Sequence, residues 1–537
     1  MSTMKGIKLH NYLQFLYLRY IKGIDSPARF IRFFSQRYAG RIVIKEGEKE
    51  LTMDALNRRV NCLANSLMDL GMHKGDRIGV LLKNSIEYIE IRLVAYKTGL
   101  VFCAMIYDFS PEQVVQKISE MKFRAFFCED PAMVETILQL PDEDQPKYII
   151  QVYAAENENR AITYPTLITG GNCSEPLCNT QPGDISAIGF TSGTTGVNKG
   201  VVWNHRAWLQ SFYHFMLNTD RTDGDMRLLQ FIPFSTAGSL TILPWLASGG
   251  KMIIRKDYSA DEISECITEE KITNLTIAPV FLIDLWDYYL VNRDKYNFDS
   301  LKSISVGSAP LPGDKLKQII ETFGPIIQQS YGMAEVLAPI ASIRITDPLQ
   351  ECSKLTSVGV PIKQVKVKLA DLDERGCRRI RIKSKTACLG YWKPDGINRT
   401  CFRQNWFLSD DIGSFDRNKH LYIRERKARI IDNDGRIIYP RDIEEVIHGF
   451  PGVQDVIVFR PDNSLLACLS ARRNYSIDIG KLKQYCHSKL PDDHIPDDFI
   501  VLNKLPVSSS GKTLKPERVN KKSPNLARSQ TRATKQY

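Results

Sequence analysis

Several features of other protein classes are missing from this sequence of 537 residues. Its 12 cysteines form no CxxC pair, and they do not cluster with the 8 histidines in the spacing of a metal site. No short apolar N-terminal run is followed by a signal-peptide cleavage site, and no internal repeat is visible. These absences disfavour a structural zinc protein, a secreted disulfide scaffold and a repeat protein. They predict reduced thiols in a reducing, cytoplasmic compartment.

Long apolar runs are also scarce. The longest uncharged stretch covers residues 228–250, but two prolines and three glycines interrupt it. It therefore predicts a buried strand, turn and helix rather than a membrane span. The aromatic, amphipathic segment 12–24 leaves two interpretations open, namely packing against the main body and weak contact with a membrane surface.

Acidic residues are outnumbered, with 72 Lys and Arg against 61 Asp and Glu and a net charge of +11. Part of the excess lies at the C-terminus, where seven basic residues from Lys515 to Lys535 accompany the single acid Glu517. Residues 519–537 are predicted to form a disordered basic tail. A basic surface attracts polyanions such as ATP or coenzyme A, and we expect no nucleic-acid partner.

Helical and strand patterns alternate along most of the chain. Apolar residues recur with helical spacing over 51–70, and short apolar runs predict strands at 78–82, 126–128, 148–152, 251–254 and 274–278. Such alternation predicts an α/β fold with largely parallel sheets. After the polar run 424–429, the pattern changes to a smaller α+β unit. The predicted divisions are an N-terminal extension (1–30), a large domain (31–426), a small domain (427–518) and the tail (519–537).

A loop rich in glycine and threonine, FTSGTTGVNKG at 190–200, lies between two apolar strands. Its glycines can present backbone N–H groups, its hydroxyls add donors, and Lys199 adds a positive charge, which together suit a triphosphate. The order of residues differs from a Walker A loop, and an ordinary Ser/Gly/Thr hairpin remains the alternative. The candidate phosphate-binding residues are Thr191, Ser192, Gly193, Thr194, Thr195, Gly196 and Lys199.

This loop resembles the phosphate loop of the adenylate-forming superfamily, [ST]SGTTGxPKG, with Asn198 in place of proline. The superfamily contains acyl-CoA synthetases, adenylation domains of peptide synthetases and luciferases. The resemblance extends over roughly residues 30–518 and includes the pattern of residues 52–87. It implies a large N-terminal domain of layered α/β subdomains and a small, mobile α+β C-terminal domain.

The resemblance assigns roles to three further motifs. The turn VGSAPL at 306–311 implies that Gly307, Ser308, Ala309 and Pro310 lie against adenine. In QSYGMAE at 329–335, Tyr331 and Gly332 belong to the adenine site, with the Tyr331 ring stacking on the base. In WFLSDDIG at 406–413, Asp411 matches the aspartate that accepts hydrogen bonds from the ribose, and Arg426 matches an arginine that also reaches it.

Two residues are candidates for catalysis. Glu335 is the implied ligand of Mg²⁺ beside the phosphates. Lys512, in LPVSSSGK at 505–512, matches the lysine that stabilises negative charge during adenylation. The chain departs from the family at Thr236 (usually His), Ala334 (usually Thr), Asp410 (usually Gly) and Ala428, which occupies the hinge position.

The resemblance implies an enzyme that uses ATP and Mg²⁺ to convert a carboxylic acid into an acyl-adenylate and then transfers the acyl group to a thiol. Coenzyme A is the expected acceptor. A carrier-protein phosphopantetheine is the alternative, favoured by Thr236 and by the Tyr439-Pro440 loop, which is similar to that of fatty-acyl-AMP ligases. A degenerate, non-catalytic member is a third interpretation. Phe212, Phe215, Phe234 and Met333 indicate an apolar acyl or aryl group.

Overall fold

The computed structural model describes residues 11–153, 161–169, 171–177, 179–191, 199–218, 226–346, 351, 354–370, 372, 377–392, 395–433, 436–461 and 464–516. Most of the glycine- and threonine-rich loop, the predicted tail and residues 1–10 lie outside these ranges. Three sheets and a smaller C-terminal unit make up the described chain.

The first sheet has eight strands, of which the middle ones are parallel. Their burial on both sides explains why they consist of continuous apolar runs rather than alternating patterns. In spatial order the strands are Gly390–Tyr391, Gly200–Asn204, Ile185–Phe190, Val101–Ala104, Arg77–Leu81, Ala125–Cys128, Tyr148–Gln151 and Ile162–Thr163.

The second sheet has nine strands and is parallel except at its two edges. In spatial order the strands are Val360–Pro361, Val336–Arg344, Ile327–Met333, Ser303–Val306, Asn274–Ile277, Arg227–Gln230, Lys251–Ile254, Ile42–Glu46 and Lys49–Thr52. These two sheets confirm the predicted α/β class with largely parallel strands.

A third, antiparallel sheet follows in the chain and leads to the C-terminal unit. Its strands are Lys366–Leu369, Arg379–Lys383, Phe402–Arg403, Trp406–Phe415 and Leu421–Arg426. The C-terminal unit has a hairpin and a three-stranded sheet, with strands Ile431–Asn433, Arg436–Ile438, Val453–Phe459, Leu466–Ala471 and Asp498–Leu502.

Helices cover the sheets, and several begin where a Ser, Thr or Asp side chain accepts a hydrogen bond from the first turn. The helices are Pro27–Arg37, Met53–Asp69, Ile86–Thr98, Pro111–Met121, Pro131–Leu138, Tyr164–Thr169, His205–Asn218, Ile242–Ser248, Ala260–Glu269, Pro279–Val291, Gly313–Phe323, Asp395–Cys401, Pro440–His448 and Ile479–Lys489, with shorter helical turns at Tyr17–Ile21, Ala237–Thr241, Lys427–Arg429 and Asp492–His494.

The C-terminal unit contacts the large unit through charged groups. Arg472 donates two hydrogen bonds from Nε to the buried carboxylate of Asp287, at 2.8 and 3.0 Å, and its guanidinium lies over the Trp286 ring. The Glu445 carboxylate accepts a hydrogen bond of 2.7 Å from the backbone N–H of Gly313. These contacts place the loop that carries Lys512 against the large unit.

The prediction that all cysteines are free thiols is wrong for two of them. Cys62 and Cys173 form a disulfide, although 111 residues separate them in the chain. The helix Met53–Asp69 and the segment that contains Cys173 come together because Asn65 donates hydrogen bonds to the carbonyls of Asn172 and Ser174. Eight other cysteines in the described ranges are thiols, and seven of these are buried.

The helical segment before Pro27 packs on the main body. Leu18 and Ile24 are buried in the same core as the first helices, and the Phe15 ring contacts Tyr213 edge-on at 5.0 Å. The opposite face leaves Tyr20 and Ile21 more than 70% exposed. Where the structure describes the chain, no helix is long and apolar enough to cross a membrane.

Candidate active site

One cavity of about 540 Å³ connects the ends of the parallel strands with the C-terminal unit. Ligands bind at this edge of open α/β sheets, because the strands end there and the loops can diverge. Its wall includes six of the residues predicted from the motifs as phosphate-, ribose- or metal-binding or catalytic: Thr191, Lys199, Glu335, Asp411, Arg426 and Lys512.

Lys199 and Glu335 meet at the ring of Tyr391. The Lys199 ammonium lies 5.3 Å from the ring centroid, and the Tyr391 hydroxyl donates a hydrogen bond of 2.7 Å to Glu335 Oε1. Burial and the neighbouring carboxylate raise the pKa of Tyr391, so the phenol keeps its proton and acts as a donor. None of the motifs had pointed to Tyr391. The only signal was an aromatic pair after a glycine, Gly390-Tyr391-Trp392.

The ends of the glycine- and threonine-rich loop are also defined. The backbone N–H of Thr191 donates to the carbonyl of Lys199 at 3.1 Å, so the loop closes between two antiparallel strands. The predicted binding residues Ser192, Gly193, Thr194, Thr195 and Gly196 lie outside the described residues.

Asp411 and Arg426 face each other across two antiparallel strands as directly paired residues. Arg426 Nε lies 3.3 Å from Asp411 Oδ1, and the Tyr331 hydroxyl donates a hydrogen bond of 2.6 Å to Asp411 Oδ2. The motif around Asp411 had also allowed a solvated turn. The structure instead shows one strand, Trp406–Phe415, in which Asp411 is buried and the exposed Asp410 pairs with Arg379 at 2.8 Å.

The structure does not place the Tyr331 ring in the cavity wall, and its predicted stacking on adenine stays a prediction. Ser330 and Gly332 line the cavity, whereas Tyr331 points to the opposite side of its strand and packs in the core of the third sheet. The physical reason is the alternation of side chains along a strand. Tyr331 therefore holds Asp411 in position through a hydrogen bond from the core side. Burial beside that carboxylate raises the pKa of Tyr331 well above the usual range.

Only part of the motif that was predicted to lie against adenine, residues 307–310, lines the cavity. Gly307 and Ser308 line it, whereas Ala309 and Pro310 belong to the turn that leads to the next helix. Gly332 is required for a different reason. A Cβ atom there would lie 2.4 Å from the Ala338 Cβ in the neighbouring strand, so no side chain fits.

Lys512 lies on a tight loop of the C-terminal unit that enters the cavity. The Ser508 N–H donates to the Lys512 carbonyl at 2.9 Å, and the Ser509 N–H donates to Asp108 Oδ2 of the large unit at 3.1 Å. Burial and the nearby Arg426 lower the pKa of Lys512, while Glu335 and Asp411 oppose that shift. The loop therefore places the Lys512 ammonium near the carboxylates of Glu335 and Asp411, which the motifs had predicted for the site.

The rest of the cavity wall is mainly apolar. Phe212, Phe215, Phe234 and Met333, the residues predicted to indicate an apolar acyl group, all line it, and so does Thr236. The Thr236 hydroxyl donates a hydrogen bond of 2.9 Å to the carbonyl of Pro233. The hydroxyl is thus already hydrogen-bonded within its own turn, at the position where the family usually has histidine.

The layered α/β fold and this cavity define a nucleotide-dependent enzyme of the adenylate-forming type. The chain belongs to the AMP-binding enzyme family, whose model matches residues 32–392; the model of the AMP-binding enzyme C-terminal domain matches residues 442–512. This membership confirms the superfamily and the enzyme class predicted from the motifs.

Individual relatives are similar over most of their length. A feruloyl-CoA synthase from Amycolatopsis sp. is 25% identical over 491 residues, which are 88% of this chain and 94% of the relative. A long-chain-fatty-acid–CoA ligase from Mycobacterium tuberculosis is 24% identical over 87% of this chain and 92% of the relative. The crystal structure of an anthranilate CoA ligase with anthranoyl-AMP superposes with a TM-score of 0.82 at 19% identity, covering 91% and 95% of the two chains.

Proposed function

We propose that this protein is an AMP-forming acid–thiol ligase, which activates a carboxylic acid with ATP and transfers the acyl group to coenzyme A. The observation that carries the proposal is the position of Lys512. This residue belongs to the C-terminal unit, yet it lies in the same cavity as Glu335 and Asp411 of the large unit. The names of the relatives, which are CoA synthases and ligases, support the same reaction.

In the first step, a carboxylate oxygen of the acid attacks the α-phosphorus of ATP and pyrophosphate leaves. Negative charge then increases on the attacked phosphate, and the Lys512 ammonium offsets it. Lys199 and the donors of its loop hold the leaving phosphates, while Asp411 and Arg426 bind the ribose hydroxyls. In the second step, the thiol of the acceptor attacks the acyl carbon and AMP leaves.

The described residues of the site could bind Mg²⁺ only if substrate phosphates supplied further ligands. Within the described ranges, no group of three His, Cys, Asp or Glu side chains could hold a metal ion by itself. Glu335 nevertheless offers a carboxylate in the cavity, and Mg²⁺ is commonly held by one or two carboxylates together with substrate phosphates. When bound, the ion would neutralise phosphate charge, and Glu335 would hold it.

Coenzyme A is the acceptor that we favour over a carrier protein. Tyr439, part of the loop that suggested a carrier-protein enzyme, is buried between the Arg424 guanidinium, 3.9 Å from its ring, and the thiol of Cys377 at 3.3 Å. Its ring is therefore held between the C-terminal unit and the third sheet of the large unit. We place the hinge of that unit at Lys427–Arg429, the helical turn that follows the last strand of the third sheet.

The proposal is tested by measuring pyrophosphate release with ATP and Mg²⁺ over a panel of fatty, aryl and amino acids. Parallel incubations with coenzyme A and with a phosphopantetheinylated carrier domain then identify the acceptor. Acid-dependent release followed by acyl-CoA formation is expected. Acyl transfer to the carrier domain alone would establish the alternative acceptor, and failure of every acid to release pyrophosphate would favour a non-catalytic member.

We also propose that the N-terminal segment contacts membrane surfaces weakly. Leu13, Tyr20 and Ile21 are exposed on one face of this segment, and Lys22 adds a positive charge beside them. The test is co-sedimentation with anionic vesicles, where Tyr20→Ser with Ile21→Ser should reduce the bound fraction. Equal binding of the variant and the wild type would contradict this contact. The cytoplasmic location stays a prediction, and the disulfide of Cys62 weighs against a fully reducing compartment.

A further inference from the structure

The helix Ile86–Thr98 is buried along its whole length and yet carries four charged residues. Three of them are paired with opposite charges from neighbouring elements. Glu90 forms a two-point ion pair with Arg59, and Lys97 donates to Glu175 at 2.9 Å. Glu87 lies 3.3 Å from the Lys49 ammonium. Such pairing is what a buried charge requires, because desolvation would otherwise be too costly.

Arg92, the fourth charge on this helix, has no such partner. Its side chain is 1% exposed, and within the described residues no carboxylate lies within 4.0 Å of its guanidinium. Nη2 donates one hydrogen bond of 2.8 Å to the Tyr96 hydroxyl, whereas the buried Nη1 has no hydrogen-bond partner in the part of the chain that the structure describes. The aromatic rings around it, including Tyr96 at 4.3 Å and Trp208 at 4.4 Å, attract the cation but do not neutralise it.

Arg92 lines the same cavity as the catalytic groups, and so do two residues that each have a buried polar atom without a hydrogen-bond partner among the described residues. These atoms are the Tyr88 hydroxyl, one helical turn before Arg92, and the indole N–H of Trp208. The guanidinium and the indole can only donate hydrogen bonds. A ligand that satisfies all three must therefore present acceptor atoms, and one that balances Arg92 must be an anion.

The cavity wall also shows that this position is remote from the adenylation chemistry. Phe102, Ala104, Ile106 and Asp108 line the cavity in succession along one segment of the chain. The Phe102 ring contacts the Arg92 guanidinium at 4.9 Å, whereas Asp108 contacts the backbone of Ser509 in the Lys512 loop. The charged groups that shift the pKa of Lys512 are Arg426, Glu335 and Asp411, and Arg92 is not among them, so it lies outside the immediate surroundings of the catalytic lysine.

We infer that Arg92, with Tyr88 and Trp208, forms a receptor for a second carboxylate at the end of the acid remote from its reacting carboxyl group. The substrate class is therefore a dicarboxylic acid with a largely apolar chain or ring between its two acidic groups. The inference rests on the proposed function, since it specifies the acid that the same cavity activates.

The test uses acids in matched pairs. Each α,ω-dicarboxylic acid is compared with the monocarboxylic acid of the same chain length, and each aryl acid with its analogue bearing a second carboxyl group. For the wild type, kcat/KM of pyrophosphate release should favour the diacid by at least about tenfold at the chain length that fits. The preference should be expressed mainly in KM, because the remote contact is equal in the ground state and the transition state.

Arg92→Met should reverse the preference, since it replaces the cation with an apolar side chain of similar length. Arg92→Lys should retain part of it, and Leu93→Met, a volume-conserving change of a buried neighbour on the same helix, should leave it unchanged. A wild type that activates monoacids at least as well as every matched diacid would overturn the inference whether or not Arg92→Met folds. Release from no acid at all would instead reject the proposed function.

Discussion

At the scale of single residues, the site is organised by charges that are close to one another and partly shielded from water. Lys512 lies near Arg426, Glu335 and Asp411, and its lowered pKa reflects burial first and the arginine second. The ammonium must be protonated to stabilise the adenylation transition state. The rate of adenylation should therefore fall at an alkaline pH below the usual range of lysine, as the Lys512 proton is lost.

Lys512→Ala should remove most acyl-adenylate formation, by about 10²- to 10³-fold in kcat, because the charge that offsets the developing anion is lost. Transfer from a supplied acyl-adenylate to the thiol should continue near the wild-type rate. Single-turnover measurements of the two half-reactions test this, with Lys504→Ala, an exposed lysine in the same unit, as the control. Equal losses in both half-reactions would argue against a role confined to adenylation.

Tyr331→Phe removes the hydroxyl that donates to Asp411 but keeps the ring in its core. A hydrogen bond to a charged group contributes about 1.5–3 kcal/mol, so KM for ATP should rise by roughly 10- to 100-fold. Tyr422→Phe serves as the control, because Tyr422 lies on the third-sheet strand that pairs with the strand of Asp411. If KM stayed unchanged, Asp411 would hold its position without Tyr331.

Residue types could be predicted from motifs, but their surroundings could not. Glu335, Asp411 and Lys512 follow from short patterns and all reach one cavity. The orientation of Tyr331 depends on which face of its strand is turned to the cavity, and the partnership of Tyr391 with Glu335 joins residues 56 positions apart. No local pattern contains either fact.

At the scale of elements, the apolar runs predicted strands well where burial on both faces made the pattern continuous. Arg77–Leu81 and Lys251–Ile254 agree with the predictions to within one residue. The strand Trp406–Phe415 was harder to predict, because its two aspartates are typical of turns. There, pairing with neighbouring strands outweighs local propensity, as Asp411 lies opposite Arg426 and Arg379 opposite Ile412.

The loop that carries Lys512 tolerates no side chain at Gly511. This glycine has φ of +77°, and a Cβ atom there would lie 2.3 Å from the Ala278 Cβ of the large unit. Gly511→Ala should therefore slow adenylation at least about tenfold by blocking entry of the loop, and leave thioester formation largely intact. Both half-reactions are measured as for Lys512.

Gly47→Ala provides the matched control, because Gly47 also has a positive φ, of +58°, but no atom of the described residues beyond its chain neighbours lies within 4 Å of the added methyl group. It shares the backbone strain without the clash. An equal loss of adenylation in both variants, or a loss of thioester formation in Gly511→Ala, would show that blocked entry is not the cause.

At the scale of the whole molecule, the two units share a buried interface that contains a lysine. Lys315 lies there near Arg472, Asp287, Asp314 and His448, and burial together with Arg472 lowers its pKa to about 8. In the unfolded chain its pKa is near 10.5. The folded protein thus binds this proton less tightly, and below pH 8 the charged lysine lowers the free energy of unfolding.

The contribution of Lys315 should therefore be constant below about pH 8, and between about pH 8 and 10.5 stability from this group should rise with pH, because only the unfolded chain still holds the proton in that range. Lys315→Met should raise Tm by a few degrees at pH 7, and the gain should shrink toward pH 10.5. Thermal unfolding across this range tests it, with the half-buried Lys317 of the same helix changed to Met as the control. A gain that did not depend on pH would point to packing instead.

The pairing of Asp411 with Arg426 has one more consequence. Arg426 is the last residue of its strand, and the proposed hinge begins at the next peptide bond. Its backbone is anchored in the third sheet, so a rotation of the C-terminal unit would exchange the Lys512 loop for another surface while the ribose site kept its shape. The adenosine part of the activated intermediate would then stay bound in one place, and the enzyme would retain the intermediate between two successive reactions.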